Sequence, residues 1–141
     1  MKPINILLVE DNEGDIVLTI EALLEGKLNN TVSVARCGQE AIMYLNKEGK
    51  YAGEAPPDLI LLDINLPRID GKEVLHFIKS HPVHKKIPVI ILTTSSHEKD
   101  IAEAYNEHAN CYIIKPVSLD AFMDVIRTIE YFWISIVSLP K

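Results

Sequence analysis

The sequence is poor in the residues that mark several common functions. Its two cysteines, Cys37 and Cys111, lie far apart and match no metal-binding or redox spacing. They read as reduced thiols of a reducing compartment. Excess positive charge is missing: the formal net charge is −6 and the isoelectric point about 5.3. That argues against nucleic acid as the main partner, because a phosphate backbone is held by a basic surface. No apolar run approaches the roughly 20 residues needed to cross a bilayer. Residues 1–5 run straight into a predicted strand and leave no room for a signal peptide, so a cytoplasmic location with no membrane contact is expected. Internal repeats, low-complexity segments and Gly-rich ATP-binding boxes are also lacking. Global disorder is excluded by 48% hydrophobic and 24% charged residues, and 141 residues suit one domain with a real core.

What is present is a regular alternation of short apolar runs and amphipathic stretches. Apolar runs over 4–9, 59–62, 88–92 and 111–114, with a weaker one over 31–35, predict buried parallel strands. Between them, helices are expected over 15–24, 38–45, about 72–80, 98–107 and from 119 onward. The first helix should turn Ile16, Ile20 and Leu23 inward with Val17 and Leu24 beside them, and Asp11 or Asn12 could cap it. The second should bury Ala41, Ile42 and Leu45, and the last carries Phe122, Val125, Ile126, Ile129 and Trp133 at helical spacing. Residues 47–57, with Gly, Glu and a Pro-Pro pair, read as a surface loop, and Pro82 ends the third helix. Five successive β-α units predict an α/β doubly wound parallel sheet with helices on both faces.

Four of these strands end on residues with reactive chemistry. Glu10 and Asp11 follow the first, Asp63 the third, Thr93 closes the fourth, and Lys115-Pro116 follows the fifth. In an open parallel sheet the carboxyl ends of the strands face one crevice, where such folds bind ligands. Three acids, a hydroxyl and an amine would meet there, a set suited to a divalent cation and a transferred phosphoryl group. Each residue also has a plainer explanation: Asp63 as a helix cap, Glu10 as a helix-start acid, Lys115 as a surface lysine. The combination favours the functional one.

Glu10-Asp11, the segment Asp63-Ile64-Asn65-Leu66-Pro67, Thr93 and Lys115-Pro116 resemble, in order and spacing over nearly the whole chain, the receiver domain of two-component response regulators. The resemblance implies a flavodoxin-like sheet of order 2-1-3-4-5 with five flanking helices. It makes Asp63 the phosphoacceptor of a signalling protein that catalyses only its own phosphorylation and dephosphorylation. Mg2+ would be held by Glu10, Asp11, Asp63 and the carbonyl of Asn65, with the longer Glu10 acting through water where relatives often have Asp. Lys115 would reach the phosphoryl oxygens, aimed by a cis Pro116. Thr93 would donate its hydroxyl to the phosphoryl group while Tyr112 moves into the vacated space. Asn65 and Ser95 would tune dephosphorylation, and Thr94 stands where many relatives carry Ala or Gly. The C-terminal tail, the 47–57 loop and the phrases Glu21-Ala22-Leu23 and Thr93-Thr94-Ser95-Ser96 are similar to single-domain regulators paired with phytochromes. That implies a light-sensing histidine kinase as phosphodonor and a homodimer built through the last helix.

The tail is informative in itself. A helix of about 12 residues covers a five-residue strand, so the helix from Leu119 has spanned the sheet by about Glu130. Residues 131–141, which include the only tryptophan, have no strand left to cover. They could fold back on their own domain or fray. A partner surface is favoured, most simply a symmetric dimer using Tyr131, Phe132, Trp133, Ile136 and Val137. Residues 1–141 are therefore expected to form one receiver with 131–141 as an extension and no output domain.

Rival functions fit less well. A haloacid-dehalogenase-type phosphatase needs a second acid two residues after its nucleophile, where this chain has Asn65. A flavodoxin-like flavin-binding protein needs a Ser/Thr/Gly-rich phosphate cradle, which Glu10-Asp11-Asn12-Glu13 would repel. A receiver that no longer takes phosphate is disfavoured by the complete residue set. Among the histidines, His81 and His84 are expected to face solvent, His76 and His108 to be ordinary helix residues, and His97 lies in no kinase-type phosphoacceptor pattern.

Overall fold

The computed structural model describes residues 3–25 and 30–140, with 135 and 136 described by backbone alone. Strands β1 (Ile4–Val9), β2 (Asn30–Ala35), β3 (Leu59–Leu62), β4 (Val89–Thr93) and β5 (Cys111–Ile114) form one parallel sheet in the order β2-β1-β3-β4-β5. They alternate with helices α1 (Glu13–Glu25), α2 (Gly38–Leu45), α3 (Gly71–Ser80), α4 (Glu98–Asn106) and α5 (Leu119–Ile129). This is the expected flavodoxin-like, doubly wound arrangement. Register pairs Val9 with Leu62, Leu62 with Ile91 and Thr93 with Ile114, so the carboxyl ends of neighbouring strands lie near one another.

Strand periodicity sorts the core into two layers. Leu7, Val9, Ile60, Leu62, Val89 and Ile91 pack under α2, α3 and the single buried residue of α4, Ala104. Ile6, Leu8, Leu59, Leu61, Ile90 and Leu92 pack under α1 and α5, chiefly Ile16, Leu23, Phe122, Ile126 and Ile129. Side-chain caps set the starts of α1, α3 and α5: Asn12 Oδ1 accepts from the Asp15 amide, Asp70 from Glu73 and Ser118 from Ala121. The start of α3 is fixed by close approach. A Cβ on Gly71 would stand 2.1 Å from the carbonyl oxygen of Asp63 and 2.5 Å from Ile64 Cα.

Several local expectations need correction. Val17 and Leu24 are exposed, because the inward stripe of α1 runs through Ile16, Thr19, Ala22 and Leu23 and leaves them on its outer flank. In α2, Tyr44 is buried and Ile42 only half-buried. The 47–57 segment is not all surface loop. It holds a 3-10 turn, Gly49–Tyr51, whose Tyr51 is buried with its ring 5.4 Å from that of Tyr44. His84 is buried rather than solvent-facing, stacked on His81 at 3.9 Å between ring centroids. Burial, reinforced by His81, holds its imidazole below the usual range. His108 lies beyond α4 with a positive φ of 67°.

The tail continues α5 as a π-helix, Glu130–Ile136. Ile134 is buried and Trp133 packs half-buried on the α1/α5 layer, whereas Tyr131 and Phe132 are exposed. Val137, Ser138 and Leu139 then line a cavity of about 500 Å³ with Pro3, Ile4, Asn5, Ala55, Pro56 and Asp58. That cavity lies at the amino end of β1, so the tail bends under its own domain there. The Ile136 side chain lies outside the described residues.

Candidate functional site

The crevice is built where the strand ladder gives out. The Glu10 amide donates to Ala35 O and the Asp63 amide to Val9 O, each at 3.0 Å, which carries the sheet bonding one residue past β1 and β3. Glu10 and Asp63 are consequently buried, while Asp11 is exposed at the rim. Single oxygens of Glu10, Asp11 and Asp63 lie within 4.8 Å of one another. Asp63 Oδ1 accepts from the Asn65 amide at 3.0 Å, which folds the following loop over the carboxylate.

Lys115 enters from β5. Its amide donates to Thr93 O at 2.6 Å, and its ammonium donates to Glu10 Oε1, to Asp15 Oδ2 at 2.9 Å and to Asp63 Oδ2 at 3.1 Å. Only 5% of its side chain is exposed, so it is no surface lysine. The expected cis bond is not found: all peptide bonds among the described residues are trans, Lys115–Pro116 included. Lys115 is directed instead by its three carboxylate partners.

Electrostatics separates the acids. Burial opposes ionisation of Asp63, yet the Lys115 charge, the Asn65 amide and its Thr93 and Glu10 neighbours together bring its carboxyl below the usual range. Burial lifts Glu10 to about 7, assisted by the Asp63 charge and resisted by Lys115. Asp63 is thereby the committed anion of the pair.

Thr93 is fully buried, its hydroxyl oxygen accepting from Asn65 Nδ2 and from the Ser95 amide, each at 3.4 Å. Asn65 Nδ2 also reaches the Thr94 hydroxyl at 3.3 Å, joining the loops after β3 and β4. The Tyr112 hydroxyl donates to Ser95 O at 2.9 Å, and its half-buried ring packs on the α2/α3 layer. Ser95 Oγ donates to Asp100, which also takes a bond from Lys72 Nζ of α3 at 2.7 Å. The site thus connects through Ser95 to Tyr112 on one side and to α3 and α4 on the other.

The structure brings together Glu10, Asp11, Asp63, Asn65, Thr93 and Lys115 and places Tyr112 two hydrogen bonds away through Ser95. Asp15 was missed. It stands in the first turn of α1, where an acid is explained by the helix dipole, and its partner is 100 residues distant in sequence. Only its place four residues after Asp11 hinted at a common crevice.

A 2-1-3-4-5 parallel sheet with acids after its first and third strands, a hydroxyl ending the fourth and a lysine after the fifth defines the receiver class of signalling proteins. The chain belongs to the response regulator receiver domain family, whose model matches residues 6–127. It is 42% identical to the response regulator Rcp1 of Synechocystis sp. over 135 residues, covering 96% of this chain and 92% of that protein. Among solved structures, the phosphorylated cyanobacterial phytochrome response regulator RcpA superposes with a TM-score of 0.97 at 48% identity, over 99% of this chain and all of that one. The Mn2+-bound form of Rcp1 gives a TM-score of 0.96 at 42% identity with equal coverage. Among the described residues no helix is long and apolar enough to cross a membrane.

Proposed function

We propose that this receiver is a phosphorylation-controlled switch whose Asp63 accepts a phosphoryl group in a site loaded with Mg2+. The observation that carries this reading is the placement of ionised Asp63 between Lys115 and two further acids, with Asn65 bonded to both its carboxylate and the buried Thr93. The donor set fits the cation. Mg2+ prefers oxygen ligands, and three carboxylates can each direct an oxygen into one small volume. Glu10, Asp11, Asp63 and the carbonyl of Asn65 would hold it, and it would supply neutralisation of charge on the transferring group. The Mn2+-bound Rcp1 structure supports the divalent character of the site.

The protein's own groups account for the remaining chemistry. An Asp63 oxygen forms the new bond to phosphorus as the bond to the donor's leaving atom breaks, leaving an acyl phosphate on the protein. Lys115 offsets the phosphoryl charge as a point cation. Thr93 turns its hydroxyl toward the phosphoryl oxygens and so leaves Asn65 and the Ser95 amide, and the Ser95–Tyr112 bond transmits that change to the β5 surface.

The donor we infer is a sensor histidine kinase, and a phytochrome in particular, because RcpA is a phytochrome response regulator and matches this chain almost end to end. We place the protein in the cytoplasm as one receiver spanning 1–141, with 131–141 as an extension that supports a homodimer. Exposed Tyr131 and Phe132 supply the apolar surface for that contact, beside a groove of about 540 Å³ lined by Cys111, Ile113, Val125, Ile129 and Trp133.

Incubation with acetyl phosphate, followed by intact mass with and without hydroxylamine, tests the central step. The expected result is one hydroxylamine-labile phosphoryl group that forms only with Mg2+ and is absent from Asp63→Asn. A phosphate that survives in Asp63→Asn would place the acceptor elsewhere. Light-dependent transfer from a purified phytochrome kinase tests the donor separately.

A further inference from the structure

We propose that Asp15 is a positioning residue that takes sole charge of the Lys115 ammonium when a divalent cation enters the crevice. The inference rests on the proposed metal reading and goes beyond it, since Asp15 is none of the residues assigned there.

Lys115 sits against three carboxylates, of which Glu10 and Asp63 also belong to the trio whose oxygens converge within 4.8 Å. Asp15 contacts the ammonium at 2.9 Å but stands outside that trio. An ammonium and a dication held by the same two carboxylates repel each other strongly in a buried site. Entry of the dication therefore requires Lys115 to withdraw from Glu10 and Asp63. With only 5% of its side chain exposed, the ammonium cannot be left unpaired without a large desolvation cost. Asp15 is the remaining partner already in contact.

Its setting suits the task. The Asp15 side chain is 25% exposed, against 4% for Glu10 and 7% for Asp63, so it can adjust where they cannot. Its backbone is fixed at both ends: the amide donates to Asn12 Oδ1 at 2.9 Å and the carbonyl accepts from Thr19 Oγ1 at 2.7 Å. The Lys115 amide is held by Thr93 O, so the ammonium shifts by side-chain torsion alone. Asp15 would thus ease metal entry and leave the lysine ready beside the arriving phosphoryl oxygens.

The plainer explanation is a helix-start acid that acts only through its charge. Glu13 provides the control. It lies in the same first turn and carries the same charge, but pairs with Arg36 at 3.0 Å on the exposed side of α1.

Calorimetric Mg2+ titration of the full chain separates these accounts, with circular dichroism confirming that each variant folds. Asp15→Asn should weaken Mg2+ binding roughly tenfold, within the range of couplings between residues of one ion-pair network. Glu13→Gln should stay within about twofold, and Asp15→Glu should recover most of the affinity. In a Lys115→Met background, Asp15→Asn should change affinity by less than about twofold, because no ammonium needs relocating. Should Asp15→Asn fail to fold, Asp15→Ser carries the same test. An equal loss with and without Lys115 would make Asp15 a bulk charge or a ligand and overturn the proposal, as would no loss in the wild-type background. A wild-type protein that binds no Mg2+ would overturn the metal reading, and this inference with it.

Discussion

At the scale of single residues, the site depends on atoms that have no room to move. Gly71 is the clearest case: an added Cβ meets backbone at 2.1 Å, at the carbonyl of the proposed phosphoacceptor itself. Gly71→Ala should lower stability by about 1–3 kcal/mol, as overpacking typically does, and slow acyl phosphate formation, because α3 and the Asp63 loop must part. Urea midpoints and acetyl phosphate kinetics read the two effects. His84 gives a pH prediction. Its imidazole is held below its ordinary pKa of 6.5 by burial and by His81, so just below pH 6.5 the unfolded chain binds a proton that the folded one resists. Stability therefore falls as pH drops through 6.5 toward the folded value. Melting midpoints of wild type and His84→Gln across pH 7.5 to 5 should diverge, the variant losing less; parallel curves would remove His84 from the account. The strand-end residues Glu10, Asp63, Thr93 and Lys115 were legible in the sequence because each directly follows or ends an apolar run. Asp15 and His84 were not: the lysine that explains the first is 100 positions away, and the polar neighbours of the second conceal its burial.

Among the elements, α4 stands apart in how it is held. It buries only Ala104, whereas α3 buries Gly71, Val74, Leu75 and Ile78. In place of an apolar face, α4 docks through polar contacts: Lys72 bonds Asp100 and Glu103 at 2.7 Å each, and His76 Nδ1 meets Glu107, just past the helix end, at 2.9 Å. Partly exposed ion pairs contribute little individually and weaken with salt, so α4 is expected to be held less firmly than α3. Lys72→Met should raise hydrogen exchange in α4 by up to about fivefold, the limit set by such pairs, with little change in α1 or α5. Equal acceleration in all helices would mean global destabilisation instead. The contrast also explains which boundaries were readable. Gly38–Leu45, Leu59–Leu62 and Cys111–Ile114 match expectation to the residue, since buried apolar periodicity writes itself into local sequence. That α4 would be polar was legible; that Lys72 and His76 anchor it was not, because those contacts join residues 28 to 31 apart.

On the scale of the whole molecule, the tail and the crevice lie at opposite ends of the sheet. The carboxyl ends of the strands carry Glu10, Asp63 and Lys115, while Val137 to Leu139 pass beneath the amino end of β1. The dimer surface expected from sequence divides accordingly. Trp133 and Ile134 serve the protein's own core, Val137 lines the cavity under the sheet, and Tyr131 and Phe132 are left facing out, the Phe132 ring 5.8 Å from Trp133 in an edge contact. Aromatic side chains are enriched at interface centres and often dominate binding energy. A twofold contact through Tyr131 and Phe132 would bury them while leaving the crevice open to a kinase. Stopping the chain after Glu130 is a poor test, because it also strips Trp133 and Ile134 from the core. The double variant Tyr131→Ser, Phe132→Ser removes the outward aromatics and keeps Trp133 and Ile134 in place, at the expense of the Phe132–Trp133 edge contact. Sedimentation velocity should show wild type as a dimer at tens of micromolar and the variant as a monomer that circular dichroism shows still folded. If wild type stays monomeric at high micromolar concentration, with and without acetyl phosphate and Mg2+, the tail serves only its own domain and the dimer reading fails.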